Sequence, residues 1–255
     1  MDVRSGSAAT REENPMVHHA VTRLDGATVL ITGANRGLGA ELARAARQRG
    51  ADLVIGASRK APADSGTEWV ELNLDDDASI DHAARQAGAV DLLVNNAGLC
   101  VADWLTDGTL LHRHLRTNVE GPRRLTDLML PGLRARGGAV VNVLSLASIY
   151  PIPGMASYSA SKSAAMSWTQ TLAIRERARV AVHAVYAGPM DTDMVRDLAI
   201  PKSPPGDVAA AVLDAVDDGV LDIFPDAMSA SFADAWLQGP AVGLQRANAA
   251  MAEAR

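Results

Sequence analysis

The stretch LITGANRGLGAELA, Leu30 to Ala43, decides how the chain is read. It opens as an apolar, β-branched run and turns at Gly33, Gly37 and Gly39. It then continues as LGAELARAARQRG (38–50), with helical spacing and Gly50 as a C-cap. In a strand–glycine–helix turn the backbone can approach a pyrophosphate closely. The helix start offers unpaired N–H groups and a positive dipole end to the anion. The spacing is T-G-x-x-x-G-x-G, not the G-x-G-x-x-G of the commonest dinucleotide fold. Such a turn also occurs without a ligand, so the rest of the chain has to decide.

Outward from this stretch, short apolar runs alternate with Ala-rich helical segments. The runs at 27–34, 52–58, 90–98, 139–145 and 180–188 read as strands buried on both faces, followed by a last strand in VLDIFP. Helical spacing recurs at 117–138, bent or finishing near Pro131, at 158–177 and at 205–219. This alternation predicts an α/β fold: one Rossmann-type, doubly wound parallel sheet between two helical layers. Residues 1–22 are read as a disordered leader and 23–255 as one domain ending in a tail, 226–255. Ligands of such a sheet gather at the carboxyl ends of its strands.

Composition narrows the function. With 48% hydrophobic and 21% charged residues among 255, the chain can bury a large core. A net charge of −6 without any Lys/Arg block argues against nucleic acid. The single cysteine, Cys100, excludes an internal disulfide and suits a reducing compartment. No apolar run reaches the roughly 18 to 20 residues that cross a bilayer, and MDVRSGSAATREENP lacks the apolar segment of a secretory signal. The expectation is a cytoplasmic protein. No Cys/His cluster has metal-ligand spacing, and His112 and His114 point apart on a helix, so no metal is assigned.

In SYSASKSAAMSW (157–168), Tyr158 and Lys162 lie one turn apart on one helical face, padded by Ser and Ala. Taken alone, this is a surface tyrosine above a solvated lysine. Together with Thr32-Gly33-Ala34-Asn35-Arg36-Gly37-Leu38-Gly39, Asn95-Asn96-Ala97-Gly98 and Ser145, however, it resembles the short-chain dehydrogenase/reductase family over about Leu24 to Pro225. The resemblance implies a nicotinamide cofactor and hydride transfer at a carbonyl or hydroxyl carbon. Residue by residue, it assigns Asn118, Ser145, Tyr158 and Lys162 to the chemistry. Ser148 is a competing hydroxyl at the wrong offset from the tyrosine.

The residue types fit that chemistry. Carbonyl reduction needs a general acid within reach of the oxygen, and a free phenol titrates near 10. A lysine cation at about 4 Å would favour the phenolate by up to ~4 kcal/mol at an effective dielectric near 20. Lys162 is therefore expected to make Tyr158 more acidic and to hold the nicotinamide ribose, while Ser145 donates to the developing alkoxide.

The resemblance gives the cofactor Thr32, Gly33, Asn35, Arg36, Gly37, Leu38, Gly39, Asn95, Ala97 and Gly98, along with Tyr158 and Lys162 themselves. Asn73, where the family usually has Asp, and Leu74 would meet the adenine, with Asp75 nearby as a fallback. Gly188, Met190 and Thr192 of YAGPMDTDM would position the carboxamide, with Ala187 where Pro is customary. Asp52 opens its strand, roughly 16 Å from the ligand end, so no acid stands where a ribose hydroxyl would be bound. Ser58 and Arg59 occupy that place and Arg36 can reach it; two guanidiniums suit a 2′-phosphate. The expected cofactor is NADP(H).

Leu99, Cys100, Trp104, Leu146, Tyr150, Met155, Met190 and Met194 are candidate pocket walls, favouring a weakly polar ketone or aldehyde. The segment DMVRDLAIPKSPP (193–205) reads as a short lid. The tail is open to two placements, over the pocket or on a neighbouring subunit. Helices 117–136 and 158–177 match those the family uses for dimers and tetramers. Three functions remain: an NADPH-dependent carbonyl reductase, an alcohol dehydrogenase running oxidatively, and a nucleotide-binding regulator on the same fold.

Overall fold

The computed structural model describes residues 23–62, 66–106, 108–196, 199–240 and 242–244. The leader expected at 1–22 and the last residues of the tail lie outside that set. Seven parallel strands form one sheet: β1 (Thr28–Thr32), β2 (Leu53–Ser58), β3 (Glu68–Glu71), β4 (Leu92–Asn95), β5 (Ala139–Val143), β6 (Ala181–Val185) and β7 (Asp222–Ile223). Their order is β3-β2-β1-β4-β5-β6-β7, so the chain reverses its direction of travel between β1 and β4. Crevices for ligands open at such a switch point, outside the carboxyl ends.

Strand side chains alternate between two cores. Val29 and Ile31 of β1, with Val94 and Val141, pack under α1 (Gly37–Gln48) and α6 (Pro205–Asp217) through Leu38, Leu42, Val208 and Val212. Leu30, Ile55, Leu93 and Val140 face the other way. They meet α2 (Asp77–Ala87), α4 (Gly121–Arg136) and α5 (Ala156–Glu176) through Ile80, Leu125, Met129, Leu133 and Leu172. Burial on both faces is why the strands read as continuous apolar runs.

The structure adds elements the apolar pattern hides: β3, α2, and α3 (Gly108–Leu115). The long helix does not end at Pro131 but runs on to Arg136. Before it, Arg116–Glu120 forms a π-helical turn, a local widening that often marks functional sites. The tail continues as α7 (Ala227–Ala230) and α8 (Ala233–Gln238). Trp236 and Val242 are buried against Leu144, Ala165, Ala184 and Tyr186, so this part of the tail packs on the sheet's own core. Trp236 also donates to the Asp222 carboxylate (3.1 Å). No helix of the described residues is long and apolar enough to cross a membrane.

Candidate active site

The glycine turn is built for an anion. Gly33 and Gly37 have left-handed backbone (φ +70 and +55), which favours glycine. A Cβ on Gly39 would overlap the Gly33 carbonyl, and one on Gly33 would lie 3.0 Å from the Ala97 Cα. The start of α1 has no side-chain cap and no acidic residue in its first turn, leaving its N–H groups and dipole for a ligand. Thr32 closes β1 and accepts from the Asn96 and Ala97 amides (3.0 Å each), tying the glycine turn to Asn95–Gly98. A nicotinamide dinucleotide fits this cradle.

Ser58 and Arg59 stand at the carboxyl end of β2, and Asp52 precedes its first residue, as expected. Ser58 is buried and donates to the Lys60 carbonyl (2.6 Å), while Arg59 is exposed. Arg36 is paired with Asp193 across the cleft at 3.1 Å, both largely exposed. Exposed pairs contribute little, so this guanidinium is available to a stronger anion. Asn73 lies just beyond β3, its Oδ1 accepting from the Asp75 amide (3.2 Å). Leu74 buries its side chain in the core, so only its backbone faces a ligand.

Asn95 closes β4, and its side chain turns into the protein. Its Nδ2 donates to Thr126 Oγ1 (2.9 Å) and Asn142 Oδ1 (2.8 Å) inside the protein. Its buried Oδ1 has no protein partner. Asn95 also lines a small cavity with Asn118, Lys162, Val143 and Trp168, with about 10 Å³ open to water, roughly the room one water needs.

The four expected catalytic residues converge beside this cavity. The π-helical turn aims Asn118 inward. Its Nδ2 donates to the Leu99 carbonyl and Ser161 Oγ (2.9 Å each), and its Oδ1 accepts from the Leu99 amide (2.7 Å). Ser145 follows β5, caps the turn Leu146–Ser148 and shares a hydrogen bond with the Tyr158 hydroxyl. Ser148, buried, completes the capping box from behind. Lys162 is 6% exposed and donates to the Val143 carbonyl (2.7 Å), with Nζ 5.9 Å from the centre of the Tyr158 ring.

Burial acts against the expected tuning of Tyr158 by Lys162. Burial pushes the phenol above its ordinary range, the nearby Cys100 adds to this, and the bond with Ser145 only partly offsets it. Burial pushes Lys162 down, from 10.5 to about 8. Dehydration disfavours the charged form of each group. The Tyr158 phenol is therefore neutral at pH 7, and Lys162 is still mostly cationic.

Three further residues, unmarked in sequence, support the site. Asp103 accepts from the Ser157 amide (2.8 Å) and hydroxyl, capping α5 from a distant loop. Asp226, buried, accepts from the Gly188 amide (2.8 Å) and so anchors the loop through Met190 and Thr192 where Ala187 supplies no proline rigidity. Thr192 closes on the glycine turn, 3.3 Å from where a Gly37 Cβ would stand. His114 is buried beside Tyr158. Of the expected pocket walls, Trp104, Tyr150 and Met194 are exposed; Leu99, Cys100, Leu146, Met155 and Met190 are half-buried.

A family model described as short chain dehydrogenase matches residues 27–202. The chain belongs to the short-chain dehydrogenase family. It is an oxidoreductase of that family. A 3-oxoacyl-acyl-carrier-protein reductase FabG of Thermotoga maritima is 32% identical over 200 residues, 69% of this chain and 79% of that protein. FabG of Vibrio harveyi is 30% identical, over 69% of this chain and 78% of its own length. Among solved structures, a short chain dehydrogenase of Burkholderia cenocepacia in complex with NADP superposes with a TM-score of 0.80 at 32% identity, covering 88% of this chain and 98% of that one. A 3-ketoacyl-acyl-carrier-protein reductase of Brucella melitensis complexed with NADH gives 0.71 at 27% identity, covering 78% and 97%.

Proposed function

We propose that the protein is an NADPH-dependent reductase that converts a ketone or aldehyde to an alcohol. One observation carries this reading: a neutral Tyr158 hydroxyl bonded to Ser145 beside a buried Lys162, at the strand ends next to the glycine cradle. When bound, the reduced nicotinamide supplies the hydride. Tyr158 gives its proton to the carbonyl oxygen as negative charge develops there, and Ser145 donates to the same oxygen. Lys162 then stands opposite the phenolate that remains. Asn118 and the small cavity beside Lys162 offer a route by which water returns the proton.

Arg59 and Arg36 favour a cofactor bearing a 2′-phosphate, since no carboxylate occupies the end of β2. The NADP of the Burkholderia relative agrees with this. The substrate reading rests on the apolar rim of Trp104, Ile149, Tyr150, Ile152 and Met194, all exposed around the loops after β4 and β5 and the segment after Thr192. It suits a weakly polar ketone, of which the 3-oxoacyl group named for the relatives is one kind. Self-association through α4 and α5 belongs to the same reading. The test is NADPH oxidation with a panel of ketones and aldehydes, followed by reduced-nicotinamide absorbance. Tyr158→Phe is expected to abolish turnover while keeping NADPH binding. Tight binding with no turnover on any panel member would favour the non-catalytic regulator.

A further inference from the structure

His114 has no counterpart in the chemistry above, yet it is completely buried. It sits on α3, whose other histidine, His112, is exposed. A buried imidazole is tolerated when both ring nitrogens are paired. Here Nε2 lies 3.1 Å from the Val101 amide and Nδ1 lies 2.9 Å from the Leu110 carbonyl. A backbone amide can only donate and a carbonyl can only accept. The ring is therefore the neutral tautomer with its proton on Nδ1. The His114 ring meets the Tyr158 ring at 6.3 Å and 68°, the T-shaped arrangement aromatic pairs prefer.

The partner amide matters as much as the ring. Val101 belongs to the loop from Leu99 to Thr106, which joins β4 to α3 and carries Trp104. That loop is fastened at both ends. Asn118 holds Leu99 through two hydrogen bonds. Asp103 holds the first turn of α5 through Ser157, and its backbone pairs with Gly154 and Ala156 (2.9 and 3.1 Å). Just past the second anchor Leu105 adopts a left-handed backbone (φ 60), a costly state that persists only where neighbours impose it. His114 supplies the fastening midway.

We propose that His114 is a positioning residue: through Val101 it fixes the substrate-facing loop, and through its ring it fixes the orientation of the Tyr158 phenol. The proposal rests on the reading of Tyr158 as proton donor, and it separates from that reading by experiment. His114→Leu keeps an apolar side chain of similar bulk but leaves the Val101 amide without an acceptor. It is expected to raise KM for the carbonyl substrate and lower kcat, about tenfold in combined effect, with KM for NADPH within twofold of wild type. His114→Gln, whose amide oxygen can accept from Val101, is expected to recover most of the lost carbonyl KM. In the wild-type protein, ¹⁵N spectra of labelled histidine should show His114 protonated on Nδ1 alone.

An Nε2-protonated or doubly protonated ring at neutral pH overturns the proposal, as does a His114→Leu enzyme with carbonyl kinetics within twofold of wild type. Equal loss in both KM values overturns it too, as a general structural defect. If His114→Leu does not fold, the wild-type spectrum and the Gln variant still decide. Turnover by Tyr158→Phe would remove the catalytic reading without altering the tautomer result.

Discussion

Replacing Lys162 by Met should abolish activity and, at the same time, flatten the pH dependence of stability. Burial lowers this lysine from 10.5 to about 8. Below pH 8 it is charged in both folded and unfolded chains, and the folded state bears the full cost of dehydration. That cost is about 3 kcal/mol at pH 7. Between pH 8 and 10.5 the unfolded chain binds more protons than the folded one, so stability rises with pH. Most of that cost, roughly 2–3 kcal/mol, is regained by pH 10.

Lys162→Met removes the buried charge but leaves the Val143 carbonyl without its donor, a loss of about 1–3 kcal/mol. The two effects nearly cancel at pH 7, so a single melting point is uninformative. The slope is decisive. Urea unfolding of both proteins at pH 7 and pH 10 should show the wild type gaining roughly 2–3 kcal/mol relative to the variant. Tyr158, pushed upward by burial, stays protonated across that window in the folded state. A stability difference that is the same at both pH values would refute the dehydration of Lys162. Lost activity with that constant difference would leave the lysine catalytic but solvated.

Arg59→Asp should move cofactor preference from NADPH toward NADH by about 10- to 100-fold, the worth of a charge-assisted bond replaced by a repulsion; the ratio of kcat/KM for the two cofactors measures it, and an unchanged ratio refutes the assignment. Asp226→Ala strips the acceptor from the Gly188 amide and unties the cap of α7. It should raise KM for NADPH about tenfold, and Asp226→Asn, which keeps an acceptor oxygen, should restore part of it. Unaltered cofactor KM in the alanine variant would show that the loop needs no such anchor.

The glycine turn and the Tyr158–Lys162 pair were legible because each is defined by residue type at short spacing. The strands of the sheet's centre were legible because burial on both faces makes them apolar throughout. Edge strand β3 was not: EWVE buries only Val70, and a short half-exposed strand leaves no run to detect. Helix α2 carries its signal in the cap and not in an apolar run: Asp76 accepts from the Ala78 amide ahead of a mostly polar helix that buries Ile80, Ala83 and Ala87. Asp103, Asp226 and His114 had no local signal. Asp103 and Asp226 act on partners 54 and 38 residues away, and His114 acts on an amide 13 residues away in a loop. Such pairings exist only once the sheet has brought the loops together. The burial that opposes the expected acidity of Tyr158 was hidden for a related reason. Sequence spacing gives the distance between two charges but not how much water both lose.

The Ser-rich padding around Tyr158 follows from that same dehydration. Helix α5 buries Ser157, Ser159, Ser161, Lys162, Ala165, Thr169 and Leu172, a surface no apolar stripe would mark. Its hydroxyls are satisfied almost on the spot: Ser159 donates to the Met155 carbonyl (2.8 Å), Ser161 to that of Tyr158 (2.7 Å), and Thr169 to that of Ala165 (2.7 Å). Ser161 and Thr169 also accept from Asn118 and Asn142 (2.9 Å each), so these residues pack as small, satisfied side chains and let α5 lie close against β5, whose Val143 carbonyl receives Lys162. Larger apolar residues at the same positions would hold the helix farther from the sheet and let water reach the lysine. The small hydroxyl residues and the lowered lysine are then one feature: close approach of α5 dehydrates Lys162, and the bond to Val143 keeps its charge directed at the cleft.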